Sequence, residues 1–184
     1  MAARVFIIGG PGSGKTTLAD RLAASMGVPS YDLDWVGFRP DGTPLPSEEQ
    51  SAIYLRIADQ PGWVVAGNYN DVTAPMCEAA EAIIWLDLPW RVAAWRIVTR
   101  YLKAAISGNN AYPGIGSLCR FFWRTRRYYL DIPRPWFDSD GSPRTRGAVV
   151  RLVAVRWERV IHCRTQAEVD EASAVVVARA ALSK

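Results

Sequence analysis

Histidine, lysine and cysteine are all scarce in this sequence, and each shortage removes a class of function. His162 is the only histidine, and the three cysteines, Cys77, Cys119 and Cys163, are widely spaced with no CxxC or HxxxH pattern. Zinc sites built on such pairs are thereby excluded, and an odd number of scattered thiols does not make a disulfide framework. The thiols are expected to be reduced and mostly buried. No run of about 18 or more uncharged apolar residues occurs, which removes a hydropathy-defined membrane helix. The opening MAARVFIIGGPG reaches a glycine loop before a secretory h-region and cleavage site could be completed, so a soluble, cytoplasmic protein is expected. Internal repeats and low-complexity tracts are also lacking. What is present is a chain of 184 residues, 49% of them hydrophobic, long enough for one substantial core and short for two. One domain spanning residues 1–184 is expected.

Charge is modest at +4, but only Lys15, Lys103 and Lys184 among 22 basic residues are lysine. The rest are arginine, whose planar fork suits phosphate oxygens, so arginine clusters are informative.

Apolar runs alternate with helical patterns along the chain. RVFIIG (4–9) reads as a strand, and KTTLADRLAASM (15–26) as a helix with Leu18, Leu22 and Met26 on one side, ending at Gly27. PSYDLD (29–34) is a weaker second strand, followed by a helix that SEEQ (47–50) could cap. GWVVAG (62–67), AIIWLD (82–87) and ERVIHC (158–163) supply three more strands. A helix begins near Pro89, another covers about 149–157, and TQAE (165–168) caps a terminal helix. The spacing predicts an α/β fold, an open and mostly parallel sheet with its ligand crevice at the carboxyl ends of the strands.

GGPGSGKT (9–16) fits GxxxxGK[ST] between that first strand and helix. Gly9, Gly10, Pro11, Gly12, Ser13, Gly14, Lys15, Thr16 and Thr17 form the expected phosphate-binding set, with backbone amides turned inward at a helix N-terminus. Lys15 is expected to reach the β and γ phosphates, and the Thr16 hydroxyl to meet Mg²⁺, making a nucleoside triphosphate the natural guest; ATP and Mg²⁺ are the expected cofactors. No NKxD tetrapeptide and no LSGGQ-like segment occurs, which excludes a switch GTPase and an ABC-type ATPase. AIIWLDLP resembles a Walker B strand with Asp87 near the metal, yet no glutamate follows to activate water. Transfer to a bound acceptor is therefore favoured over hydrolysis.

The phosphate loop, DLD (32–34), WVVAGNY (63–69) and IIWLDLPWRVAAWRIVTR (83–100) together resemble the small P-loop kinases related to adenylate and shikimate kinases. The nearest likeness is to the bacterial group labelled topology modulation protein, over about the first 105 residues and the terminal strand and helix. The resemblance implies a P-loop NTPase three-layer sandwich, a five-stranded parallel sheet of order 2-3-1-4-5 with helices on both faces. It also implies an acceptor-binding arm at about 35–61 and a lid at about 107–146. Asp32 would lie near the metal and Asp34 would orient an acceptor hydroxyl. Arg96 and Arg100 would face the transferring phosphoryl group.

Around these acids, Arg39 and Arg56 could hold an anionic end of the acceptor, while Gly67 could permit close backbone approach, with Asn68 and Tyr69 as donors. Arg96, Arg100 and Lys103 recur at i, i+4 and i+7, placing three cations on one helix face. RFFWRTRRYYLDIPR (120–134) carries five arginines among five aromatics. It is open to three readings: a lid docking arginines onto ATP, an amphipathic helix with a solvated basic face, or a nucleic-acid platform. The modest charge and the lack of a recognised nucleic-acid module argue against the last. The expected partners are a nucleoside triphosphate and a small acceptor: a nucleotide, nucleoside or hydroxylated metabolite. The alternative is an ATP-binding regulatory protein that presents the 107–146 insertion to nucleic acid or to a protein.

Overall fold

A computed structural model describes residues 3–67, 73–107, 114–132 and 145–182. Five strands, β1 (Arg4–Gly9), β2 (Ser30–Asp32), β3 (Trp63–Gly67), β4 (Ala82–Leu86) and β5 (Val160–Cys163), form one sheet. All pairings are parallel and the order is β2-β3-β1-β4-β5. That is the strand order of the P-loop NTPase sandwich expected above.

The helices are α1 (Lys15–Met26), α2 (Leu33–Val36), α3 (Ser47–Ala58), α4 (Ala74–Ala79), α5 (Trp90–Ile106), α6 (Ile115–Tyr129), α7 (Arg146–Ala154) and α8 (Gln166–Leu182). Alternation along β1 divides the core between the two faces of the sheet. Val5 and Ile7 pack with Leu18 and Leu22 of α1 and Val169 and Val176 of α8. Phe6 and Ile8 pack on the other face with Tyr54 and Ile57 of α3, Met76 of α4, Tyr128 of α6 and Val153 of α7. Because β1, β3 and β4 are covered on both sides, their residues are apolar almost without interruption.

Three element ends differ from the sequence reading. β2 stops at Asp32, because the Asp32 carboxylate accepts a hydrogen bond from the Asp34 amide at 3.0 Å and starts α2. SEEQ makes no capping box. Pro46 stands at the cap, and the Gln50 side chain instead donates to the carbonyls of Leu45 at 2.8 Å and Gly37 at 3.3 Å. Residues 157–159 form a 3-10 turn ahead of β5. At α8 the capping box does form, with the Glu168 amide donating to Thr165 Oγ1 at 3.2 Å and the Thr165 amide to Glu168 Oε2 at 3.0 Å. Among the described residues, no helix is long and apolar enough to cross a membrane.

Candidate functional site

The strand order places the carboxyl end of β1 between those of β3 and β4, where the loop of residues 9–14 emerges. Gly14 caps α1 with φ 95° and ψ 18°, a left-handed conformation that a side chain resists. The turn brings the N-terminus of a twelve-residue helix onto the loop, an arrangement that favours anions. Ser13 is buried, and its hydroxyl has no hydrogen-bond partner among the described residues. An orphaned donor inside a ring of glycines fits a phosphate oxygen.

Lys15 folds back over this loop. Its Nζ donates to the Gly9 carbonyl at 2.8 Å and the Gly10 carbonyl at 3.2 Å. Enclosure pushes the ammonium below its ordinary pKa, and the charges of Asp34 and then Asp32 pull the other way. Both acids at the β2 tip therefore lie within the electrostatic reach of the loop lysine. Thr16 Oγ1 donates to Asp32 Oδ2 at 2.8 Å, which sets two hard oxygen donors side by side. This pair suits Mg²⁺, which favours hydroxyl and carboxylate oxygens next to phosphate. Asp34 is exposed at the start of α2, and its charge, second to burial, helps to raise the Tyr54 hydroxyl's pKa.

Asp87, the first residue beyond β4, is held by the side chains of Arg146 and His162. Arg146 forms a bidentate pair with it, Nε to Oδ1 and Nη2 to Oδ2 both at 2.6 Å, and His162 Nε2 lies 2.8 Å from Oδ2. The imidazole stacks on Trp85 with centroids 4.1 Å apart and planes 8° apart. In this structure the Asp87 carboxylate faces Arg146 and His162, while Thr16 and Asp32 face each other. Neither Arg146 nor His162 was singled out by the sequence reading. They lie 59 and 75 residues from Asp87, and no local pattern links them.

On the other side of the loop a cleft of about 490 Å³ opens between α1, α5 and α8. Arg21, Arg96, Arg100, Lys103 and Gln166 line it, so the α5 cations expected to share a face do share one. Arg96 bridges the loop and α8, donating from Nη1 to the Ser13 carbonyl at 2.5 Å and from Nη2 to Gln166 Oε1 at 2.8 Å. Arg100 and Lys103 carry no hydrogen bond or ion pair among the described residues.

The aromatic face of α6 packs beneath the loop. Tyr128 lies against Gly10, and the Tyr129 hydroxyl donates to the Pro11 carbonyl at 3.1 Å. Trp90 packs on Phe122 and Tyr129 with centroids 4.9 and 5.4 Å away. Arg120 and Arg124 point outward, and Arg124 and Arg126 lie over the rings of Phe121 and Trp123. This matches the amphipathic reading of the arginine-aromatic segment. Arg134 lies outside the described residues, as do residues 108–113 and 133–144 of the expected lid.

Of the residues expected to bind the acceptor, Arg39 and Arg56 are exposed. Gly67 meets Leu33, whose Cδ1 would stand 2.8 Å from an added Cβ, so the glycine serves the packing of α2 on β3. Asn68 and Tyr69 lie outside the described residues.

No family model matches the sequence, and no curated protein does. Among solved structures, the chain is similar to a gluconokinase from Sinorhizobium meliloti 1021 at 19% identity and TM-score 0.47, covering 96% of this chain and 92% of that one. A shikimate kinase from Bacteroides thetaiotaomicron shares 20% identity at TM-score 0.43, over 84% of this chain and 98% of that one. An uncharacterized protein from Eubacterium ventriosum ATCC 27560 shares 14% at TM-score 0.48, over 98% of each chain. At such distances the fold assignment rests on the chain's own strand order and phosphate loop.

Proposed function

We propose that the protein is an ATP-dependent phosphotransferase of the small P-loop kinase type, in the neighbourhood of the topology-modulation group. It moves the γ-phosphoryl group to a hydroxyl of a small acceptor. The observation that carries this reading is the convergence of Lys15, Asp32 and Asp34 at the tips of β1 and β2, with Thr16 hydrogen-bonded to Asp32. A loop alone binds phosphate, whereas a loop facing an exposed carboxylate can also activate a second molecule.

The amides of the loop and Lys15 hold the triphosphate, and the cleft lined by Arg96, Arg100, Lys103 and Gln166 takes the rest of the nucleotide. Mg²⁺, when bound, neutralises phosphate charge, and Thr16 and Asp32 are the residues suited to hold it. The acceptor oxygen attacks the γ phosphorus, the bond to the β-γ bridging oxygen breaks, and ADP leaves. The acceptor's proton passes to Asp34. Arg39 and Arg56, on the 35–61 arm, and Asn68 and Tyr69 are proposed to select the acceptor's other end.

Screening nucleosides, nucleoside monophosphates and hydroxy acids for acceptor-dependent ADP release tests the reading. With the acceptor in hand, Asp34→Asn should leave ATP affinity unchanged and lower transfer by roughly 10²–10⁴-fold. Equal transfer by the variant and the parent would remove Asp34 from the mechanism.

The outward arginines of α6 favour a second reading, an ATP-binding regulator that engages nucleic acid. Affinity for DNA falling steeply with salt would support it.

A further inference from the structure

Between Asp87 and Asp131 the chain has no acidic residue and eight basic ones, so this stretch carries +8 in a chain whose net charge is +4. The rest of the protein is therefore net negative. The stretch folds as α5 and α6, which pack together where Trp90 meets Phe122 and Tyr129. Arg91, Arg120 and Arg124 are exposed on these helices and make no ion pair among the described residues.

The outward side of the same helices is also apolar. Trp95, Leu102 and Ile106 recur at i, i+7 and i+11, which places them in one line along α5, and they are 70%, 53% and 86% exposed. The buried residues of that helix are Ala93 and Ile97. A surface helix normally turns polar side chains to water, so an apolar line of about three turns facing outward is left uncovered. On α6, where Thr125 and Tyr128 are buried, Ile115 and Trp123 are exposed and the Arg126 guanidinium lies 5.1 Å from the Trp123 ring centroid. Cation and ring are presented together.

Charge and apolarity jointly select the occupant of this surface. A second copy of the chain, docked face to face, would set one +8 stretch against another and be repelled. The occupant is therefore anionic. Nucleic acid would satisfy the arginines and the tryptophan rings, but Leu102, Ile106 and Ile115 gain nothing from a sugar-phosphate surface. An anionic bilayer offers phosphates to the cations, a headgroup layer to tryptophan and acyl chains to the aliphatic side chains. Lying on such a surface requires no membrane-crossing helix.

We propose that the α5–α6 pair docks on an anionic lipid surface, with Trp95, Leu102 and Ile106 entering the interfacial layer and Arg91, Arg120 and Arg124 engaging headgroup phosphates. These six residues lie outside the proposed phosphotransfer machinery, so lipid docking and phosphotransfer can fail independently.

Co-sedimentation of the full chain with vesicles tests the docking. The vesicles are phosphatidylcholine alone or phosphatidylcholine with about one-third phosphatidylserine. The parent should pellet with the anionic vesicles, stay in solution with the neutral ones, and be released as salt rises. Trp95→Ser combined with Ile106→Ser, and separately Arg120→Gln combined with Arg124→Gln, should each weaken partition onto anionic vesicles by about tenfold or more. Far-UV circular dichroism confirms that each variant is folded, and Leu102→Ser replaces the first pair if that pair is not. Binding that remains in the Trp95/Ile106 variant should stay salt-sensitive, whereas the Arg120/Arg124 variant should show a flatter salt dependence. Equal binding to neutral and anionic vesicles, binding to neither, or full binding by the Trp95/Ile106 variant overturns the proposal. Retention on random-sequence duplex DNA without vesicle binding would assign the surface to nucleic acid, and a dimer in sedimentation velocity that Trp95→Ser dissolves would assign it to a second copy. Either of these results also overturns it.

Discussion

Replacing Gly10 by alanine isolates the contact between the phosphate loop and α6. An added Cβ would stand 2.5 Å from Tyr128 Cε1, 2.7 Å from Tyr128 Cδ1 and 2.8 Å from Tyr129 Cζ. The Tyr128 ring is buried at 7% exposure and meets Tyr129 edge-on with centroids 5.1 Å apart, so it has little room to retreat. Gly10 is not among the glycines with positive φ, and alanine therefore meets no backbone strain. Stiffening the unfolded chain favours alanine by about 0.4–1 kcal/mol, while overpacking costs about 1–3 kcal/mol. The net expectation is a loss of roughly 1–2 kcal/mol, or about 2–4 °C in Tm per kcal/mol for a chain of this size. Urea denaturation followed by circular dichroism, run as a cycle with Tyr128→Ala, decides whether the ring is the cause. In the Tyr128→Ala background the Gly10→Ala substitution should become neutral or stabilising, a coupling of about 1 kcal/mol or more. If Gly10→Ala costs the same in both backgrounds, α6 does not rest on the loop and the argument from this contact fails.

Lys15→Ala removes the ammonium that caps the Gly9 and Gly10 carbonyls, and with it one charged contact to a triphosphate. ATP affinity should fall by roughly 10–150-fold in calorimetry, equivalent to about 1.5–3 kcal/mol. Cys119 is exposed whereas Cys77 and Cys163 are buried, so a thiol reagent should titrate one group quickly in the native chain and three in denaturant. Burial, then the charge of Glu168, pushes the Cys163 thiol up to about 11, and burial also raises Tyr128 and Tyr129. A proton held more tightly in the folded state gives stability that is complete below the unfolded thiol value of about 8.5 and is lost above it. The urea midpoint should therefore fall as pH rises from about 8.5 towards 11, and Cys163→Ala should flatten part of that slope.

The loop and the sheet were legible because their signals are local. GxxxxGK[ST] depends on amides and a helix start within eight residues, and near-continuous apolar runs reveal strands covered on both faces. The β2 end was misplaced by two residues because a carboxylate that looked like strand was already capping the next helix. SEEQ failed as a cap for a comparable reason: Gln50 found carbonyls in the preceding loop that no pattern announces.

What the sequence determined by itself was the phosphate loop, the parallel α/β class, the acids at the tip of β2 and the cations of α5. Each follows from periodicity or from groups within a few residues of one another. Tertiary structure alone decided that Arg146 and His162 converge on Asp87, that Tyr128 and Tyr129 support the loop, and that Gln166 meets Arg96. Those partners come together only when distant strand tips and helix ends are packed side by side, and buried charge and steric fit, which have no sequence period, select them.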